Sequence, residues 1–220
     1  MSANSTPYGL IPKQKLGFGY YNGAFREYPV AANNSAAIFN GDLVVLSTAG
    51  LPSAVAASPT AIKIPATSAD ATAGIMGVCV GCRYVDSNGV QQFDNYLPAN
   101  LVTGGATEVF VRVADDPDLI FQVKGTAALG TFNSGTDGSG FAGAVGMNAA
   151  LDFNTSGSTS TGKSGVALAV GANGGSLAAT STLAVRIVEV VPGTEADDYP
   201  EFFVKLNVGV HSYHNSLGLA

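Results

Sequence analysis

Residues Gly157-Ser158-Thr159-Ser160-Thr161-Gly162-Lys163-Ser164 match the pattern G-x-x-x-x-G-K-[ST]. In that pattern backbone N–H groups and a helix N-terminus cradle the phosphates of a nucleotide. The chemistry needs a strand entering the loop and a helix leaving it. Here Gly165-Val166-Ala167-Leu168-Ala169-Val170-Gly171 follows, too short and Gly-bounded for such a helix. No clear strand ending in a magnesium-binding Asp is apparent elsewhere. A segment this rich in Gly, Ser and Thr produces the pattern by chance, so no nucleotide is expected to bind.

Three other groupings have residue types that carry chemistry. Cys79-Val80-Gly81-Cys82 and His211-Ser212-Tyr213-His214 together offer four soft zinc ligands. Side chains three apart on a strand point to opposite faces, however, and only a turn at Gly81 brings the two thiols together. Asp115, Asp116 and Asp118 around Pro117, and Asp197, Asp198 and Glu201 further on, are candidates for a hard cation but lack EF-hand spacing. Solvated turns explain them as well. No nucleophile motif of the G-x-S-x-G type occurs, so no catalytic residue, cofactor or metal is expected.

The elements that must position these residues are strands. Ala36–Phe39 and Leu43–Leu46 flank Asn40-Gly41-Asp42, and Asn-Gly between β-formers predicts a tight hairpin. Asp86-Ser87-Asn88-Gly89 predicts a second one. In Glu108–Val113 three valines share one face, and Leu119–Lys124 resumes the pattern after the Asp-rich turn. Leu183, Val185 and Ile187 alternate near the end, as do Phe202, Val204, Leu206, Val208 and Val210. Residues 125–182 are poor in charge, and long ordered loops with brief strands are expected there. Their recurring Phe132, Phe141, Val145, Met147, Leu151 and Phe153 are candidate core anchors. No segment shows a capped amphipathic helix. The expected fold class is all-β: a β-sandwich or barrel-like single domain with long Gly/Ala/Ser-rich loops and an extended N-terminal arm.

Composition narrows the function. Only 12% of the 220 residues are charged, Gly reaches 28, and the net charge is −6. So low a charge leaves a surface of small groups suited to being covered by neighbours, and the negative balance argues against general nucleic-acid affinity. The longest uncharged run, 164–185, is broken by Gly and Asn, so no membrane span is expected. Nor does any secretory leader stand out in residues 1–30.

Residues 1–30 differ from the rest. Tyr8, Phe18, Tyr20, Tyr21, Phe25 and Tyr28 are interleaved with Gly and Pro, and Lys13, Lys15 and Arg26 against Glu27 make the segment net positive. The chain is accordingly divided into an extended arm, 1–30, and a single β-rich domain, 31–220. One reading packs the segment on its own domain. The other lays it on a partner, with Tyr8, Leu10, Phe18, Tyr20, Tyr21, Phe25 and Tyr28 as contact residues.

Tyr8-Gly9-Leu10, Tyr28-Pro29-Val30 and Ala37-Ile38-Phe39-Asn40-Gly41-Asp42 resemble the start of small structural proteins of tailed-bacteriophage heads. Gly81-Cys82-Arg83-Tyr84, Asp115-Asp116-Pro117 before Ile-Phe-Gln-Val, and Leu183–Ile187 are similar too, while His211–His214 departs from the pattern. The resemblance implies a capsid cement, or decoration, protein on the outer surface of the shell. Its implied partners are the major capsid protein and further copies of itself, commonly as a homotrimer. Direct nucleic-acid contact and membrane contact are not expected. The other function class is a carbohydrate-binding or adhesive β-module, in which aromatic rings lie on an open face rather than buried against protein.

Overall fold

The computed structural model describes residues 6–17, 19–30, 34–47, 60–63, 74–127, 143–170, 177–180, 183–194, 197–207, 211 and 213. Apart from one helical turn at 143–144, every regular element among them is a strand. The all-β expectation holds. None of the described helical residues forms a span able to cross a membrane, which leaves β-barrel crossing unaddressed.

Two antiparallel sheets carry the fold. One has five strands in the order β1 (Ile11–Lys15), β10 (Leu119–Lys124), β15 (Glu201–Leu206), β14 (Val185–Val190), β11 (Asn148–Ala149). The other has six: β2 (Arg26–Pro29), β9 (Thr107–Ala114), β6 (Ile75–Val85), β4 (Leu43–Ser47) and β5 (Thr60–Lys63), with β7 (Gln91–Asp94) also on β6. Two short pairs complete the structure, β3 (Ile38–Phe39) with β8 (Tyr96–Leu97) and β12 (Leu151–Asp152) with β13 (Ala167–Leu168).

Alternation decides what each strand buries. Phe202, Val204 and Leu206 of β15, with Val185 and Ile187 of β14, point into one cluster with Leu43, Ile75, Val78 and Ala114 of the other sheet. That shared cluster makes the two sheets a sandwich. A bulge between Ile187 and Glu189 shifts the parity of β14, so that Val190 rather than Glu189 turns inward opposite Phe202. The opposite face of the six-stranded sheet buries Val109, Val111 and Val113 with Tyr28, Cys79, Cys82 and Tyr84. The three valines share a face, as their spacing predicts.

The Asp86–Gly89 turn is a true hairpin, with Val85 paired to Gln91 across it and Gly89 at φ +80. The Asn40–Asp42 turn corrects its expectation. Gly41 has the left-handed φ of +96 that a turn demands, but β3 pairs with β8 while β4 pairs with β5 and β6. The reason is competition for the backbone. The Phe39 N–H donates to Asp42 Oδ2 at 2.8 Å, and the Asn40 N–H reaches the carbonyls of Asn95 and Gly162. The turn is therefore a corner that passes the chain between layers.

The N-terminal segment is extended, and its described part is built into this chain's own sheets. β1 lies along β10 and β2 along β9, so the segment wraps the corner that joins the two sheets. Leu10 is fully buried in the sandwich core and Tyr28 in the second cluster, so residues 6–30 are not set apart from the domain as the sequence division has it. The physical reason is that strand pairing satisfies the segment's backbone locally, and β10 and β9 each offer an edge for it.

Candidate functional site

The nucleotide-like motif is a tight structural turn. The Ser158 N–H donates to the Lys163 carbonyl at 2.8 Å and the Gly162 N–H to the Ser158 carbonyl, closing the loop on itself. Each of its glycines is explained by packing. A Cβ at Gly157 would lie 2.2 Å from the Phe39 ring, and one at Gly162, which has φ +69, would lie 2.6 Å from the Asn95 Cβ. Ser164 is buried and donates its hydroxyl to Asp42 Oδ1 at 2.6 Å, while accepting from the Val166 N–H. The short strand β13 follows the motif, with no helix leaving it among the described residues.

The cysteines lie on one face because β6 bulges between Cys79 and Gly81, adding the residue that alternation lacks. Both are free thiols pointing into the valine-lined cluster, and Cys82 donates to the Tyr96 carbonyl at 3.1 Å. Burial pushes the Cys82 thiol up to about 12 and Cys79 higher still, so neither presents a thiolate at neutral pH. His211 is buried, with its backbone bridged to Ile75, and its Nδ1 accepts from the Tyr213 N–H. His214 lies outside the described residues. Among the described residues no three His, Cys, Asp or Glu side chains converge as a metal cluster.

The Asp-rich turn is a clasp. Asp115 accepts the Tyr28 hydroxyl at 2.8 Å and faces Arg26 Nε at 3.2 Å; Asp116 pairs with Lys15, and Asp118 with Lys205 at 2.8 Å. Lys15 and Arg26, two of the three cations of residues 1–30, thus meet this chain's own carboxylates. Tyr213 joins the same group through its hydroxyl, 2.7 Å from that of Tyr28. Burial, the Tyr213 bond and the Asp115 carboxylate together hold the Tyr28 phenol well above its ordinary range.

The expected contact residues are divided by the structure. Leu10 and Tyr28 are core, Tyr8 is half-buried, and Tyr21 packs partly against the sandwich core. Phe18 lies outside the described residues. Tyr20 is 89% exposed and Phe25 46%. Tyr20 sits on a hairpin of its own, in which the Lys15 N–H donates to Gly19 and the Tyr21 N–H to Lys13. Leu16, 52% exposed, projects from the same tip.

Sequence reasoning missed a second exposed feature, on the six-stranded sheet. Arg83 lies opposite Phe93 on β7 and Phe110 on β9, and its guanidinium sits 4.2 Å from the Phe110 ring centroid. One row along, Arg112 lies opposite Gly81, with its guanidinium 4.9 Å from the ring centroids of both Phe25 and Phe93. Glu27 on β2 joins the two, accepting from Arg83 Nε at 2.7 Å and Arg112 Nε at 3.2 Å. Burial works against the Glu27 charge, but the two guanidinium groups hold its carboxyl below the usual range. At the rim Glu108 takes φ +49, a strained value for a side-chain-bearing residue, and reaches Arg83 at 3.6 Å. The signal available in the sequence was Arg83 and Arg112 on strands flanked by aromatic residues, but only register reveals that they share a face.

The arrangement clamps two guanidinium groups against aromatic rings and the Glu27 carboxylate. The chain matches no family model, no curated protein and no solved structure.

Proposed function

We propose that this chain is a structural, non-enzymatic virion protein. It binds the outer surface of a tailed-phage capsid and stabilises contacts between major capsid subunits, acting as a homotrimer. Support comes first from the sequence resemblance to head decoration proteins. The observation that carries the reading is the fate of the chemistry-bearing residues. The motif glycines, Ser164, both cysteines, His211 and the Asp-rich turn are engaged in the chain's own packing. Large apolar and aromatic side chains nonetheless face outward, Leu16 and Tyr20 at the hairpin tip and Phe25 and Phe93 beside Arg112. Exposed aromatic and apolar anchors suit a protein whose work is attachment.

Binding that is selective for the assembled shell would stabilise that state by mass action, and repetition over one lattice would add avidity. The tip is the proposed shell contact. Gly17 and Gly19 there have φ values of +112 and +157, and no atom lies within 4 Å of where a Cβ on either would sit. The test is a double substitution, Leu16→Ala with Tyr20→Ala. Both side chains are more than half exposed, so stability should move by no more than about 0.5 kcal/mol. Attachment to heads in co-sedimentation should fall at least tenfold. Unchanged attachment would remove the tip from the contact.

A second reading, a carbohydrate-binding module, draws on the exposure of Phe25 and Phe93. Against it, the Arg112 guanidinium already lies over a face of each ring. Saturable binding of a glycan that Phe93→Ala abolishes would favour it.

A further inference from the structure

We infer that the Arg112 face receives the Asp197–Asp198 loop of a second copy of this chain. The inference deepens the proposed self-association, on which it rests, and is independent of shell binding.

The receptor is defined by what Arg112 leaves unused. Its Nε is held by Glu27, and its plane lies between the half-exposed rings of Phe25 and Phe93. Among the described residues its two Nη groups make no hydrogen bond or ion pair. Arg83 is met by both Glu27 and Glu108, whereas the one carboxylate facing Arg112 among the described residues is that of Glu27, which it shares with Arg83. A clamped guanidinium with unspent donors is shaped for a planar carboxylate. Its rotamer is already fixed by ring and Glu27 contacts, so little conformational entropy is lost on docking.

The ligand is defined by an inventory of carboxylates. Glu27, Glu108, Asp115, Asp116 and Asp118 face cations of their own chain. Asp42, Asp86, Asp94, Asp152 and Glu201 each accept a hydrogen bond. Of the remaining described carboxylates, Glu189 stands singly on β14, whereas Asp197 and Asp198 are adjacent in the loop between β14 and β15 and pair with no cation among the described residues. Tyr199 beside them supplies the aromatic side chain that an Arg-aromatic face accepts. Receptor and ligand are different patches of the chain, so the contact is either made twice across a twofold axis or repeated head to tail, which closes a ring where the rotation allows.

The test is sedimentation of the full chain across a concentration series, with head binding measured in parallel. The wild-type chain should associate. Asp197→Lys with Asp198→Lys, on a loop whose two carboxylates hold nothing else among the described residues, should weaken association at least tenfold while leaving the melting temperature unchanged. Arg112→Glu should do the same, and the chain carrying all three substitutions should regain association. If Arg112→Glu does not fold, the loop variant alone decides. A monomeric wild-type chain, or a loop variant that associates like wild type, overturns the contact. Loss of association in the variants with no head binding by the wild-type chain would leave the contact standing and sink the shell reading. Head binding with unaltered association in the variants would do the reverse.

Discussion

Ser164 and Asp42, 122 positions apart in the chain, share a buried 2.6 Å hydrogen bond in which the serine hydroxyl donates to Asp42 Oδ1. The bond ties the nucleotide-like turn to the corner between β3 and β4. Around it the Ser164 N–H donates to the Asn40 carbonyl, the Leu10 N–H to the Gly41 carbonyl and the Gly41 N–H to the Cys79 carbonyl. Gly9 and Gly41 pack backbone to backbone, with the Gly41 Cα only 2.8 Å from where a Cβ on Gly9 would sit. Three distant segments therefore meet at one corner.

Ser164→Ala leaves one carboxylate oxygen of a buried Asp without this donor, and it should cost about 1–3 kcal/mol in urea unfolding. Lys163→Ala should change stability by no more than about 0.5 kcal/mol, since the motif lysine supplies its backbone, rather than its side chain, to the turn. Titration calorimetry with ATP should show no saturable binding to either protein. A stable Ser164→Ala protein, or ATP binding lost in Lys163→Ala, would reverse the assignment.

Much of the fold was legible because period-2 alternation reports burial directly. Val109, Val111 and Val113, and Phe202, Val204 and Leu206, needed nothing more. What stayed hidden was set by long-range pairing. Nothing near Asn40-Gly41-Asp42 tells that the Phe39 N–H will go to the Asp42 side chain rather than across a hairpin. Bulges at Val80 and at Val188 change which residues share a face, and one inserted residue is invisible to an alternation count. The place of the N-terminal segment stayed hidden too, because the carboxylates that meet its charge lie far along the chain. Lys15 and Arg26 look available until Asp116 and Asp115 are found beside them.

The N-terminal segment should be indispensable for folding. Leu10→Ala, at a fully buried position in the sandwich core, should cost about 2–5 kcal/mol. Removing residues 1–28 deletes β1, most of β2 and both buried anchors, and the remainder should fail to show a cooperative thermal transition. A truncated chain that melts cooperatively near the intact temperature would restore the detachable arm.

Acid should loosen the clasp before the core. Burial opposes the Asp116 charge, but the Lys15 ammonium and the Asp118 N–H hold its carboxyl below the ordinary 3.8. Because the folded value is depressed, the stabilisation is present in full above the ordinary carboxylate range. It is lost progressively as pH falls through that range and vanishes below the folded-state value. Melting temperature against pH should therefore be flat near neutrality and drop below about pH 4, less steeply in Asp116→Asn. The pair is partly exposed, so added salt should flatten the same drop. A profile identical in Asp116→Asn would show that the drop arises elsewhere.

The most direct test of the central claim is co-sedimentation of the purified chain with assembled, expanded phage heads, beside the same major capsid protein left unassembled. A decoration protein should saturate the heads at a fixed ratio to the major capsid protein, bind the unassembled protein far more weakly, and raise the temperature at which heads come apart. No saturable binding to heads, or equal binding to unassembled subunits with no gain in head stability, would contradict the account.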